Sequence, residues 1–157
     1  MSPLDRTRRM AFAACAAALS LTLLSAGPVR AAAPPSPLGL WTTIDDNTGK
    51  PRGVVRIYDQ NGKLFARLEK SFKPGAESRR CTKCTDERKD NPMLGLIIIR
   101  NMSPDGEEYD GGDILDPESG SVYRCKFKIE DGGRRLRVRG FIGISLFGRT
   151  QLWQRAD

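Results

Sequence analysis

The sequence predicts an all-β domain that follows an export signal. Short runs rich in Val, Ile, Phe and Tyr alternate with polar residues and stop at Gly, Pro, Asn or Asp, which is the pattern of half-buried strands. No segment shows the 3.6-residue period of an amphipathic helix. Eight such runs in about 120 residues predict either a closed antiparallel up-and-down barrel or a sandwich.

The strand pattern assigns most of the chain that follows the export signal. We predict strands over residues 39–44, 53–59, 63–71, 94–101, 107–115, 121–129, 134–142 and 148–155. The long segment between the third and fourth strands, from Phe72 to Met93, shows no strand pattern. A segment of that length inside a compact domain predicts either a mobile lid or a stapled loop.

Residues 1–31 have the order of a cleaved signal peptide. Three arginines within the first nine residues precede an uncharged apolar run over 10–24, and small residues follow. Because the run is shorter than the ~20 residues that span a bilayer, we expect cleavage after Ala31 and a periplasmic or secreted product. General secretion is the default route, and twin-arginine export and an uncleaved anchor are the alternatives.

The mature chain is expected to be one domain. Residues 32–37 form an extended linker, and 38–157 form the barrel domain. The signal carries four of the 26 basic residues and one of the 19 acidic ones, so the net charge falls from +7 to +4 on cleavage. The chain contains no histidine, which removes the Ser-His-Asp and Cys-His arrangements of hydrolases and the commonest metal ligand.

The turn at 61–62, Asn-Gly, predicts the register of one hairpin. Both residues tolerate positive φ, as a two-residue hairpin turn requires. The turn sets Val55 opposite Leu68 and Ile57 opposite Ala66, with all four side chains on one apolar face.

A second such turn is expected at 131–132, Asp-Gly. It sets Phe127 opposite Leu136 and Cys125 opposite Val138, again with the apolar side chains pointing inward.

That second register also predicts a basic row on the outer face. It consists of three opposed pairs: Lys128 with Arg135, Lys126 with Arg137, and Arg124 with Arg139. Like charges directly opposite each other are destabilising, so something must offset them. One hypothesis is neighbouring carboxylates from Glu107, Glu108 or Asp110. The other is a surface for anions: phospholipid headgroups, lipopolysaccharide phosphates or an acidic protein. Nucleic acid is not expected, since no aromatic ladder accompanies the row.

Cys81-Thr82-Lys83-Cys84 is the sharpest local motif. In an oxidising compartment a Cys81–Cys84 disulfide is the plain interpretation. A metal site and a redox-active pair are the alternatives, and nearby cations would stabilise a thiolate in the second case. Those cations are Arg79, Arg80, Lys83, Arg88 and Lys89.

Cys125 lies on an apolar strand face and is expected to be a small buried hydrophobic residue. We expect no bound metal or cofactor.

Gly39, Trp41 and Arg155 resemble the barrel-closing residues of the lipocalin-like (calycin) proteins. Those barrels begin with Gly-x-Trp, and an arginine from the last strand packs over the tryptophan. Cation–π attraction gives that contact a physical basis. The resemblance favours the closed barrel and implies structural roles for these three residues.

A longer resemblance extends over residues 38–155. The motifs are residues 39–46, 49–51, 55–58, the Cys81/Cys84 pair, 111–117 and 139–150. Together they resemble the bacterial family called domain of unknown function 2147. The resemblance implies an exported lipocalin-like domain and transfers no catalytic residue.

The sequence therefore predicts a binding protein and not an enzyme. A small apolar or amphipathic ligand is expected in the barrel mouth, with Phe72, Tyr109, Phe141 and Phe147 as candidate contacts. One alternative is a cell-envelope interaction module that uses the basic row. The other is a redox or metal-handling protein that uses Cys81 and Cys84.

Overall fold

The computed structural model describes residues 35–156, which form a closed antiparallel barrel. The strands are β1 (Gly39–Ile44), β2 (Pro51–Gln60), β3 (Lys63–Ser71), β4 (Ile97–Asp105), β5 (Glu108–Asp116), β6 (Ser121–Glu130), β7 (Arg135–Phe141) and β8 (Gly148–Arg155). Each strand pairs with its neighbours in the chain, and β1 pairs with β8. The up-and-down barrel is confirmed and the sandwich is excluded.

The expected signal peptide, residues 1–31, lies outside the described residues, as do 32–34 of the linker and Asp157. Within residues 35–156, no helix is long and apolar enough to cross a membrane.

One strand differs from its predicted position by more than two residues. β4 was expected over 94–101 and runs from Ile97 to Asp105. Its first apolar residues belong to the preceding loop, where Leu96 and Gly95 bond to the backbone of Leu68 at 2.9 and 2.7 Å. The strand then continues through Asn101, whose φ of 62° coincides with an irregular β3–β4 register. A bulge at an asparagine was mistaken for a strand end.

The β2–β3 hairpin has the predicted register. Asn61 and Gly62 adopt φ values of 56° and 78°, as the two-residue turn requires. Val55 lies opposite Leu68 and Ile57 opposite Ala66.

The predicted register of the β6–β7 hairpin is wrong by two residues. Phe127 lies opposite Val138, and Cys125 lies opposite Gly140. The turn is longer than expected because Gly133 also takes a positive φ, of 101°, and the ladder resumes only after it. A two-residue shift preserves the alternation of faces, so the apolar side chains still point inward.

The shift removes one of the like-charged pairs expected on the outer face. Lys128 lies opposite Arg137 and Lys126 opposite Arg139, whereas Arg124 lies opposite Phe141. Arg135 lies opposite Glu130, which is a favourable pairing.

The interior is packed with large apolar side chains. Trp41, Trp153, Phe127, Leu136 and Met102 are fully buried in a single core cluster. Burial of each such side chain stabilises the fold by about 1.5–3 kcal/mol.

Candidate functional site

The two ends of the barrel differ because strand direction alternates. One end, the closed end, carries the β2–β3, β4–β5 and β6–β7 turns together with the start of β1 and the end of β8. The opposite end, the mouth, carries the β1–β2, β3–β4, β5–β6 and β7–β8 connections. The β3–β4 connection, residues 72–96, contains the disulfide.

Arg155 seals the closed end. Its guanidinium lies 4.0 Å from the centre of the Trp41 ring. It also donates hydrogen bonds to the carbonyls of Leu38, Ser36 and Gly133 at 2.7, 2.7 and 3.0 Å. One planar group therefore joins the start of the barrel, the β6–β7 turn and the last strand. Trp41 is fully buried, and its indole N–H donates to Pro37 at 2.8 Å.

A cavity of about 340 Å³ opens at the mouth. Its volume falls at the lower end of the range for small-ligand sites. The buried side chains of Val55, Val138 and Trp153 contribute to its lining, and Gly140 occupies a lining position without a side chain. In the observed β6–β7 register Gly140 lies opposite Cys125.

Polar groups at the cavity are held in ion pairs. Glu118 accepts hydrogen bonds from Arg79 at 2.9 Å and pairs with Lys73, also at 2.9 Å. Burial acts to raise the pKa of Glu118, but the hydrogen bonds from Lys73 and Arg79 outweigh it, so this pKa lies below its ordinary value. Arg149, across the mouth, pairs with Asp46. An apolar wall with charged groups around it suits a ligand that has an apolar body and a polar head.

The 72–96 segment is a stapled loop. Cys81 and Cys84 form a disulfide, and both are buried in the core cluster. The loop packs against the β5–β6 turn, where the Cys81 sulfur lies 3.8 Å from the Pro117 carbonyl oxygen. Gly120 has a φ of 77°, and a Cβ there would lie 1.9 Å from the carbonyl oxygen of Lys83. Only glycine fits that approach.

Four of the five cations that would favour a thiolate bond to other groups. Arg79 binds Glu118, Arg88 binds Asp86, Arg80 binds the Asp90 carbonyl and Lys89 binds the Thr82 carbonyl. The remaining cysteine within residues 35–156, Cys125, is buried and free, as its apolar strand position predicted. Burial, followed by the charges of Asp110 and Asp113, raises the pKa of the Cys125 thiol.

The four candidate ligand contacts separate into two groups. Phe141 and Phe147 line the cavity. Phe72 and Tyr109 do not: Phe72 is exposed beneath the Lys70 ammonium. Tyr109 stacks on Phe127 near the β4–β5 turn, with ring centres 4.9 Å apart.

Sequence reasoning missed several cavity residues, namely Leu68, Ile114, Tyr123 and Trp153. For Leu68, Ile114 and Tyr123 the signal was inward alternation close to the mouth end of a strand, whereas Trp153 lies near the closed end of β8. That signal can be used only after the two ends of the barrel have been assigned.

The basic row is largely neutralised by carboxylates. The pairs are Lys126 with Glu108 at 2.9 Å, Lys128 with Glu107 at 2.6 Å, Arg137 with Glu130 at 2.6 Å, and Arg135 with Asp131 at 3.1 Å. Glu107 and Glu108 thus provide the expected compensation, whereas Asp110 makes no ion pair with the row among the described residues. These four cations are therefore already paired and do not form a separate anion-binding site.

Comparison with known proteins agrees with this geometry. In the structure search the chain resembles protein HP1028 from the human pathogen Helicobacter pylori, which belongs to the lipocalin family. The TM-score is 0.68 at 17% sequence identity, over 78% of this chain and 84% of that one. The likeness shows a lipocalin-like fold.

A search of curated proteins found no match. The family model described as an uncharacterized protein conserved in bacteria matches residues 39–155. The chain belongs to that bacterial family, domain of unknown function 2147.

Proposed function

We propose that this barrel binds a small apolar or amphipathic ligand in the mouth cavity. The observation that carries the proposal is the cavity itself, which has buried apolar walls and ion-paired groups beside them. Burial of the ligand's apolar part supplies the binding free energy, and the Glu118 and Arg149 clusters orient its polar end.

Binding, and not catalysis, is the proposed activity. The chain has no histidine to serve as a general base near neutral pH. Cys81 and Cys84 are joined as a disulfide, and the Cys125 thiol is buried with a raised pKa. We also propose that the mature protein acts in the periplasm or outside the cell, on the basis of its signal-like first residues and its disulfide.

Two isoleucines provide a matched test. Ile114 and Ile129 are both partly buried against the core, and of the two only Ile114 lines the cavity. Ile114→Phe adds bulk to the binding space, and Ile129→Phe adds the same bulk elsewhere. With a dansylated medium-chain fatty acid as probe, we expect Ile114→Phe to weaken binding at least about tenfold, a loss of roughly 1.4 kcal/mol.

The Ile129→Phe variant is expected to bind the probe like the wild type. Circular dichroism and thermal unfolding of both variants establish that the fold is intact. Equal affinity of the two folded variants, or no probe binding by the wild type, contradicts the cavity proposal.

A further inference from the structure

The β7–β8 loop, residues 142–147, exposes an unusual amount of apolar surface. The side chains of Ile142, Ile144, Leu146 and Phe147 are 70%, 62%, 74% and 69% exposed. Isolated exposed apolar residues are common on soluble proteins, but four within six consecutive residues form a patch. Such patches mark contact with a protein partner or with lipid.

Most backbone carbonyls of this loop are paired within the chain. Five carbonyl oxygens accept hydrogen bonds from the chain itself: those of Gly143, Ile144, Ser145, Leu146 and Phe147. Arg139 supplies two of these bonds, at 2.6 and 3.1 Å, and Arg124 supplies one at 3.1 Å. A carbonyl without a partner costs several kcal/mol in hydrocarbon, so internal satisfaction of these five carbonyls lowers the penalty for inserting the loop.

The charge at the base of the loop fits a particular kind of surface. Arg124 and Arg139 donate to loop carbonyls, and Arg139 also donates to the Thr150 hydroxyl at 2.7 Å. Neither arginine pairs with a carboxylate among residues 35–156. When the apolar tip enters the acyl region of a bilayer, the two arginines at its base lie at the level of the anionic headgroups.

The loop is also part of the cavity rim. Ile142 and Phe147 line the cavity, whereas Ile144 and Leu146 at the tip do not. Apolar surface is therefore continuous from the tip into the mouth. We propose that the β7–β8 loop docks the barrel on an anionic lipid bilayer, so that the cavity mouth faces the membrane. This deepens the ligand-binding proposal, because it names a lipid surface as the source or destination of the ligand.

Flotation with vesicles tests the docking. The mature protein, residues 32–157, is mixed with phosphatidylglycerol–phosphatidylethanolamine vesicles and with phosphatidylcholine vesicles. We expect binding to the anionic vesicles, weakened but not abolished by high salt. The double variant Ile144→Ser/Leu146→Ser removes two inserted aliphatic side chains. We expect it to bind at least about tenfold more weakly.

The matched control is Val122→Ser/Leu152→Ser, which alters two exposed aliphatic residues on strands (43% and 40% exposed). It is expected to bind vesicles like the wild type. Vesicle binding that survives Ile144→Ser/Leu146→Ser, or that is absent in the wild type, overturns the proposal. Sedimentation velocity tests the remaining occupant, a second copy of the chain. If the wild type does not bind vesicles and forms a dimer, and the Ile144→Ser/Leu146→Ser variant is a monomer, the loop contacts a second copy and the proposal is overturned.

The fatty-acid probe separates the two proposals. Ile144 and Leu146 do not line the cavity, so their substitution is expected to leave probe affinity in solution unchanged. If Ile144→Ser/Leu146→Ser loses vesicle binding but still binds the probe, the docking proposal is supported independently of the cavity. If the wild type does not bind the probe, the cavity proposal is contradicted and the docking proposal is not affected.

Discussion

Arg155 shows how much of the barrel's closure depends on one side chain. Its guanidinium covers Trp41 and bonds three carbonyls from separate segments. Gly39 is adapted to it, because a Cβ at that position would lie 3.1 Å from a guanidinium nitrogen and the residue has a φ of 116°. The Gly-x-Trp motif and the terminal arginine are therefore parts of one contact. A planar fork with several donors is required, and lysine does not provide one.

We predict that Arg155→Lys lowers the free energy of unfolding by about 3 kcal/mol. The ammonium keeps the charge but cannot reach three carbonyls at once, and hydrogen bonds to charged groups contribute about 1.5–3 kcal/mol each. The measurement is equilibrium unfolding in urea, followed by tryptophan fluorescence.

Arg134→Lys serves as the matched control, because Arg134 is exposed at the same end and its side chain donates to the Asp131 carbonyl. Its expected change is below about 0.5 kcal/mol. If the two substitutions have equal effects, Arg155 does not hold the barrel closed.

At the scale of elements, the 72–96 loop is stabilised by a buried charge cluster as well as by its disulfide. Arg88 is buried and bonds both oxygens of Asp86 and the Ile97 carbonyl. The hydrogen bond from Arg88 is the main cause that lowers the pKa of Asp86 to about 2. Because the folded pKa is depressed, the stabilisation is complete above the ordinary pKa near 4 and is lost as pH falls through about 2.

We predict that Asp86→Asn destabilises the protein at pH 6 by more than at pH 2. At pH 2 the unfolded-state carboxyl is neutral and the folded one is about half protonated, so the difference in unfolding free energy is expected to shrink by on the order of 2 kcal/mol. Urea unfolding at a series of pH values measures it. Asp90→Asn, an exposed substitution in the same loop, is the matched control for replacing a carboxylate by an amide. A pH-independent Asp86→Asn effect would refute the linkage.

Local patterns predicted the strands, and they failed where geometry depends on distant partners. The Asn61-Gly62 turn gave the right register because two residues complete it. The Asp131-Gly132 turn did not, because Gly133 joins it and lengthens the loop. Phe72 and Tyr109 were predicted from their positions in the chain and do not line the cavity, which lies where strands end on the mouth side. That position depends on how all eight strands alternate.

At the scale of the whole molecule, the compartment and the fold are linked through the disulfide. Cys81 and Cys84 join two buried positions of a loop that packs beside the cavity mouth. A disulfide persists in an oxidising compartment and is reduced in the cytosol. The export that we propose from residues 1–31 would therefore place the chain where this staple of the mouth can form.

We predict that the full-length chain, expressed in a Gram-negative bacterium, appears in the periplasmic or secreted fraction and begins at Ala32. Mass spectrometry of thiols alkylated before and after reduction is expected to show Cys81 and Cys84 oxidised and Cys125 reduced, because Cys125 is buried without a partner cysteine. A chain lacking residues 1–31 is the control, and it is expected to remain in the cytoplasm with the pair reduced. Recovery of an intact 157-residue chain from the membrane fraction supports the uncleaved anchor and contradicts cleavage.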